Sequence, residues 1–227
     1  MMKFKQARAD VYVSGEQTLE AMLPKTTHLA IVAHQDDIEI LALHGILACF
    51  QSADKVFGGV VVTDGGGSPR TGKYADCSNE EMCEIRVKEQ RKAAEVGEYG
   101  FAIQLGYPSA AVKNLDEGAV EELYRILEAS QPEVLYLHNP FDKHDTHVAV
   151  LGCCLEAVRR LAPEQRPKCV FGVEVWRDLD WLVGDRKVAL GVGQHPNLSA
   201  ALLGVFDSQI SGGKRYDLSA EARQLAN

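Results

Sequence analysis

The sequence predicts an α/β fold, a parallel sheet with crossover helices, on three observations. Short apolar or β-branched runs alternate with stretches of helical period between residues 28 and 206. The run at residues 56–63, VFGGVVVT, is nearly continuous in apolar residues, as in a strand buried on both faces. Polar loops rich in His and Asp follow two of the strands, and ligands bind beyond the carboxyl ends of strands in such sheets.

The elements follow in chain order. Residues 1–27 are polar and mixed in charge, with Ser14-x-x-Gln17 a candidate helix start before Leu19, Met22 and Leu23; no function is assigned to them. Residues 29–33 read as a strand and His34-Gln35-Asp36-Asp37 as a polar elbow. Ile38, Leu41, Ala42, Gly45, Ile46 and Cys49 then recur at helical spacing. The strand at 56–63 ends in a long Gly- and Ser-rich loop, from Asp64 to Asn79. Ser78-x-x-Glu81 is a capping box for a helix that runs to Val96 and is stopped by Gly97. On that helix Met82, Arg86, Glu89, Ala93 and Val96 share one stripe, which sets two charges among inward-facing residues. The plainer reading is a solvated i,i+3 ion pair; the functional one is an arginine held by Glu89 and aimed at a site.

Residues 101–105 read as a third strand, and Asn114 or Asp116 caps a helix that turns Val120, Leu123 and Leu127 inward and ends before Pro132. A fourth strand at 134–137 leads into the loop HNPFDKHDTH, His138 to His147, and residues 148–161 are helical. The plan of strand, His/Asp loop and helix thus occurs twice. A fifth strand is expected at 169–176, an irregular segment with one more strand up to 192, and a helix from Asn197 or Ser199 to Phe206. The tail from Ser211 reads as a loop and a short helix.

Composition limits what these elements can do. With 227 residues, 46% of them hydrophobic, the chain has enough apolar material for one complete core, so a single domain over 1–227 is expected. The formal charge of -8 and the lack of a Lys/Arg run exclude a nucleic-acid groove or an anionic membrane surface as partner. The same charge argues only weakly against small anionic substrates. There is no apolar run of membrane length and no signal peptide in MMKFKQARADVYV, so a cytoplasmic protein is expected. The six cysteines form no CxxC pair and suit reduced thiols.

The two polar elbows bring the residues of a catalytic zinc site, which takes three His or carboxylate ligands and leaves a position open. Asp36 and Asp37 are adjacent, so their side chains diverge. His34 and Asp37 can converge on one ion while Asp36 points at what it carries. His144 and His147 repeat the i,i+3 offset, one able to ligate and the other to stand beside a substrate. His44 reads as a packed or rim histidine, and His28, His138 and His195 as structural. A nucleotide-binding module, suggested by Gly65-Gly66-Gly67 after a strand, is disfavoured because the GxGxxG spacing is absent.

AHQDDIEI, Thr63-Asp64-Gly65-Gly66, Ile85-Arg86-Val87-Lys88-Glu89 and NPFDKHDTH together resemble the LmbE-like, or PIG-L-like, zinc-dependent N-acetylglucosamine deacetylases, with a fainter echo at Ser208-Gln209. The resemblance implies a Rossmann-like three-layer fold with a mostly parallel sheet and a partly antiparallel edge. It implies Zn2+ on His34, Asp37 and His147, Asp36 as general base, and a protonated His144 steadying the oxyanion. Arg86 would contact substrate or brace the site, with Glu89 fixing it. The expected reaction is removal of the acetyl group from a small N-acetylated sugar conjugate by water attack on the amide carbonyl; the alternative is a metal-dependent amidohydrolase acting on a non-acetyl, non-sugar amide. A homo-oligomer is expected. Three positions depart from the pattern: Gln35 stands for Pro, His44-Gly45 for Gly-Gly, and Thr146 for the Asp that orients the oxyanion histidine. Asp142 or Asp145 is therefore expected to take that task. Arg70, Tyr74, Tyr107, Trp176 and Trp181 are candidates for sugar contacts.

Overall fold

The computed structural model describes residues 2–177, 179–215, 218–220 and 222–223. The chain enters through an edge strand β1 (Asp10–Val13) and a single turn α1 (Leu19–Met22), then forms β2 (His28–Val32), α2 (Asp37–Leu41), α3 (Leu43–Cys49) and β3 (Phe57–Thr63). There follow α4 (Asn79–Val96), β4 (Phe101–Tyr107), α5 (Ser109–Lys113), α6 (Glu117–Ser130), β5 (Val134–His138), α7 (Asp145–Arg160) and β6 (Cys169–Val173). The helices α8 (Pro196–Gly204) and α9 (Asp207–Gln209) come last, and a wide turn Ile210–Lys214 follows them.

The six strands form one sheet in the order β1-β4-β3-β2-β5-β6. Only β1 is antiparallel, against β4; the other pairs are parallel. This is the mostly parallel α/β architecture that the sequence predicts. Its two apolar clusters lie on opposite faces: Ile31, Val60, Val62 and Ile103 belong to one, Ala30, Val32, Val61 and Ala102 to the other. Every residue of β2, β3 and β4 is buried, the physical reason that these strands read as continuous apolar runs. Strand order reverses between β3-β2 and β5-β6, so the ends of β2 and β5 open side by side at the switch point, the usual ligand crevice of such sheets.

Several expectations are corrected. β1 was not foreseen: four half-buried residues at an edge are too short to show a period. The first helix is capped by Thr18, whose side chain accepts the Ala21 amide, instead of starting at Ser14. The helix after the elbow breaks at Ala42 (φ -112, ψ 17) into α2 and α3. Gly45 is required there, because a Cβ would come within 2.6 Å of the Tyr136 ring. No strand occurs among the described residues of 174–192, and part of the expected tail helix lies outside the described residues. The expected capping box at Ser78 and Glu81 is formed, and all six cysteines are free thiols. Among the described residues no helix is long and apolar enough to cross a membrane.

Candidate metal centre

The elbow after β2 is held by its own polar atoms. Asp37 opens α2 and its Oδ2 accepts the His34 backbone N–H at 2.8 Å, folding the two residues onto one side. Asp36 between them has φ 94, a left-handed conformation that Asp tolerates better than most residues and that turns its side chain away from that of Asp37. From the loop after β5, His147 enters on the first turn of α7, almost fully buried. Because β2 and β5 are adjacent and parallel, the two loops meet.

Three donor atoms converge. His34 Nδ1 stands 3.2 Å from Asp37 Oδ2 and 3.3 Å from His147 Nε2, and His147 Nε2 stands 3.4 Å from Asp37 Oδ2. Two ligands of a tetrahedral zinc with arms of about 2.0–2.1 Å are about 3.3–3.4 Å apart, so the triangle has the edge length the ion requires. Asp37 Oδ1 is buried with no hydrogen-bond partner, a cost a cation would remove. Behind His147, Asp142 Oδ2 accepts the Nδ1–H at 3.0 Å, which leaves Nε2 with its lone pair toward the triangle. When His147 is protonated instead, its charge, with His34 beside it, holds the Asp37 carboxyl below the usual range despite burial. A second His/Asp group, His138, Asp142 and His147, fits an ion poorly: His138 Nε2 already accepts the Ala33 amide at 2.8 Å, and Asp142 is engaged with His147 and the His144 amide. His138 is thus structural, as expected from sequence.

Asp142 supports the histidine of the triangle and not the His144 ring expected of it. The His144 ring instead accepts the Thr146 amide on Nδ1 at 3.3 Å, a bond of opposite polarity to the one a carboxylate would make, which orients the ring and leaves its N–H on Nε2. Asp145 is exposed on the first turn of α7, where its charge suits the helix N-terminus. Burial, with His147 and His34 nearby, pulls His144 down to about 4, so the ring is neutral near pH 7 and not protonated as the resemblance suggested. Asp142→Asn is expected to weaken metal binding about 10- to 100-fold by removing this support, measured by competition with a chromogenic chelator.

Arg86 is fully buried, which overturns the solvated ion-pair reading. Its Nη1 donates to Asp36 Oδ2 at 3.2 Å and its Nη2 to the Gln35 carbonyl. Among the described residues no hydrogen bond joins Glu89 to Arg86, whose charge still acts on it at longer range; the Glu89 carboxylate accepts the Ser208 amide and hydroxyl at 2.7 and 2.6 Å, tying α4 to the C-terminal segment. Gln35, which stands for Pro in the family pattern, has a role of its own: its Nε2 donates to the Thr63 carbonyl and to Gln104 Oε1, anchoring the elbow to β3 and β4. Gly65, at φ +70, must lack a side chain because a Cβ would meet Gln35 Oε1 at 2.4 Å. His44 lies in the helix packing, bonded to the Tyr136 hydroxyl at 2.7 Å.

A further buried relay was missed. Gln90 Oε1 accepts the Asp36 amide at 3.2 Å while its Nε2 donates to Glu39 Oε1, which also accepts the Tyr99 hydroxyl, both at 2.8 Å. Glu39 sits three residues past Asp36, inside the motif, the one signal that could have marked it. Burial pushes the Glu39 carboxyl from 4.5 up to about 7. The folded state therefore keeps a proton that the unfolded chain has released, and stability falls as pH rises through that window. Because His144, held neutral, contributes the opposite slope over part of the same range, the test is a difference: on going from about pH 5 to about pH 8, metal-free Glu39→Gln should gain stability relative to metal-free wild type, measured by thermal unfolding.

The triangle opens into a cavity of about 610 Å³ lined by Asp36, His144, Trp176, the Gly65–Pro69 loop, Lys143 and Lys214 among others. Of the sugar-contact candidates only Trp176 lines it. Tyr107 is buried against Glu122, Tyr74 binds Asp207, Arg70 binds Gly66 and Asn79, and the Trp181 indole donates to Glu174.

A family model described as PIG-L: GlcNAc-PI de-N-acetylase matches residues 29–158, more than half of the chain and both elbows. The chain belongs to the PIG-L family. Among curated proteins none matches it significantly. Solved structures similar to this PIG-L chain include N,N'-diacetylchitobiose deacetylase from Pyrococcus horikoshii, 17% identical over 86% of this chain and 75% of that one, with a TM-score of 0.66. GalB, the 4-carboxy-2-hydroxymuconate hydratase from Pseudomonas putida KT2440, is 16% identical over 87% and 83%, with a TM-score of 0.64. The zinc-inhibited form of teicoplanin deacetylase Orf2 is 16% identical over 88% and 93%, with a TM-score of 0.63. At these identities the likeness shows the shared PIG-L fold.

Proposed function

We propose that this chain is a zinc-dependent N-deacetylase acting on an N-acetylated amino sugar conjugate. The observation that carries the reading is the triangle of His34, Asp37 and His147 donor atoms at 3.2–3.4 Å, at a cavity lined also by the diverging Asp36 carboxylate. Two imidazoles and a carboxylate suit zinc. The sugar class is supported by the family description and by the deacetylases among the solved relatives.

When bound, the cation supplies Lewis acidity, bringing the pKa of water from ~15.7 toward ~7. Asp36 accepts the proton of the water that attacks the amide carbonyl and returns it to the departing amine, leaving acetate and free amine. Arg86 and the Gln90 bridge hold Asp36 in its left-handed turn through that exchange. His144 donates from Nε2 to the oxygen that gains charge; losing such a donor typically costs on the order of 10²- to 10³-fold in rate. The Trp176 ring offers a flat apolar face for a sugar.

The test is acetate release from a panel of N-acetylated amino sugars, abolished by a chelator and restored by zinc. Turnover of other amides without acetate release would favour the non-acetyl amidohydrolase instead, and activity indifferent to chelation would remove the metal from the reading.

A further inference from the structure

The segment that follows β6 has no strand or helix among its described residues up to Val183, yet it brings Trp176 to the cavity wall. Its backbone closes two turns, the Asp180 amide on the Arg177 carbonyl and the Leu182 amide on the Leu179 carbonyl, each at 2.9 Å. What organises the rest is one side chain. Glu174, 0% exposed, accepts the Arg177 Nε–H on Oε1 at 2.5 Å, and on Oε2 both the Leu179 amide at 3.2 Å and the Trp181 indole N–H at 3.1 Å. Leu179 stands at φ 57, a left-handed conformation that strains a leucine and persists where surrounding bonds hold it.

Trp176 lies between the two ends of the Glu174–Arg177 ion pair, so the backbone that bears its indole is tied on both sides. The ring rests half-buried against the apolar cluster that includes Ala30, Val32 and Leu202. Arg177 reaches further: its Nη2 donates to the Phe141 carbonyl at 2.8 Å, in the loop that also carries His144. The Phe141 and Trp181 rings meet edge to face across the same clasp, with centroids 5.3 Å apart. One guanidinium thus sets the wall bearing Trp176 against the loop bearing His144. A buried carboxylate, even when paired, adds little net stability over an apolar side chain of its volume, and its best-attested use is to select one arrangement of the chain. Here the arrangement selected is that of a cavity wall.

We infer that Glu174, acting with Arg177, is a positioning residue of the site: it holds the Trp176 ring where a sugar stacked on it presents its acetamide to the triangle, an inference that rests on the deacetylase reading and on Trp176 as its sugar platform.

The chain has two tryptophans, both in this segment, so their emission reports on it directly. In a Trp181→Phe background, where Trp176 is the sole indole, Glu174→Ala is expected to move the emission to longer wavelength and to raise quenching by acrylamide, as the freed ring meets water. Zinc-loaded protein is then assayed for acetate release from N-acetylglucosamine, its methyl glycoside and N,N'-diacetylchitobiose. Glu174→Ala and Trp176→Ala should each raise KM by about three- to tenfold, the worth of one aromatic contact, with kcat changed less than KM and zinc affinity unchanged. The double variant should cost no more than Trp176→Ala alone, since the carboxylate acts through the ring. Glu174→Gln, which keeps an oxygen for the Leu179 amide and the Trp181 indole, should recover part of the loss. If Glu174→Ala does not fold, Arg177→Gln breaks the clasp from its outer end and carries the same expectations. Losses that multiply in the double variant would make Glu174 a structural residue alone and overturn the inference, as would a wild-type KM in Glu174→Ala. If no sugar releases acetate, the deacetylase reading fails and the emission experiment decides the clasp by itself: unshifted emission and quenching in Glu174→Ala overturn it.

Discussion

Asp36→Asn is expected to keep its metal and lose turnover by about 10²- to 10⁴-fold, the range that a positioned general base contributes. Asparagine is the right replacement for two structural reasons. Residue 36 has φ 94, and Asn, like Asp, enters the left-handed region more readily than other side chains. Its amide oxygen can also still accept from Arg86 Nη1, which now donates to Asp36 Oδ2, so the guanidinium is not stranded in the interior. The variant therefore changes the basicity at one atom and little else. Alanine would be a poor test, because it would break the buried ion pair with Arg86 by removing its carboxylate, a change that typically costs about 3–5 kcal/mol. Metal content by emission spectrometry and single-turnover rates on the same preparation decide the matter. An Asp36→Asn protein that comes out metal-free would make Asp36 a ligand and reverse the roles of the two adjacent carboxylates.

Asp37→Ala is expected to abolish metal binding. It removes the single carboxylate of the triangle, leaving His34 Nδ1 and His147 Nε2 at 3.3 Å with no negative charge between them. Zinc sites with an open position are ordinarily built on three protein ligands, and two imidazoles alone do not replace them. The readout need not be activity. Any ligand that binds the folded state alone raises the unfolding temperature, the more so the larger its concentration is relative to its Kd. Wild-type protein should unfold at higher temperature when zinc is added, while Asp37→Ala should show no zinc-dependent shift. The alanine variant also loses the acceptor of the His34 amide, so its metal-free form should be less stable than metal-free wild type by about 1 kcal/mol. A zinc-dependent shift that survives in this variant would remove Asp37 from the ligand set.

These two substitutions concern neighbours in sequence with different proposed tasks. The motif AHQDDIEI placed both carboxylates at a strand end, and the late loop placed His144 and His147 at a second one. Adjacent residues diverge and residues three apart converge, so the proposal that Asp37 ligates while Asp36 faces the reacting group starts from spacing. What Asp142 does was not. It stands two residues before His144 and five before His147, and either imidazole is within a loop's reach; it supports His147, while a backbone amide supports His144. Glu89 is similar: a helical i,i+3 partner for Arg86 on paper, it turns instead to Ser208, far along the chain.

Local sequence thus determined the alternation of buried strands and capped helices, the capping box at Ser78, and the inventory of two His/Asp elbows. Each depends on residues within a few positions of one another, where periodicity and side-chain chemistry act directly. Folding decided the rest: that β2 and β5 lie side by side, that Gln35 and Arg86 clamp the first elbow, and that Lys214 from the far end of the chain shares a cavity with Lys143. Such contacts join residues 51 to 106 positions apart in the sequence, and no local pattern encodes them. They arise only when strand order and register bring the loops to the same end of the sheet.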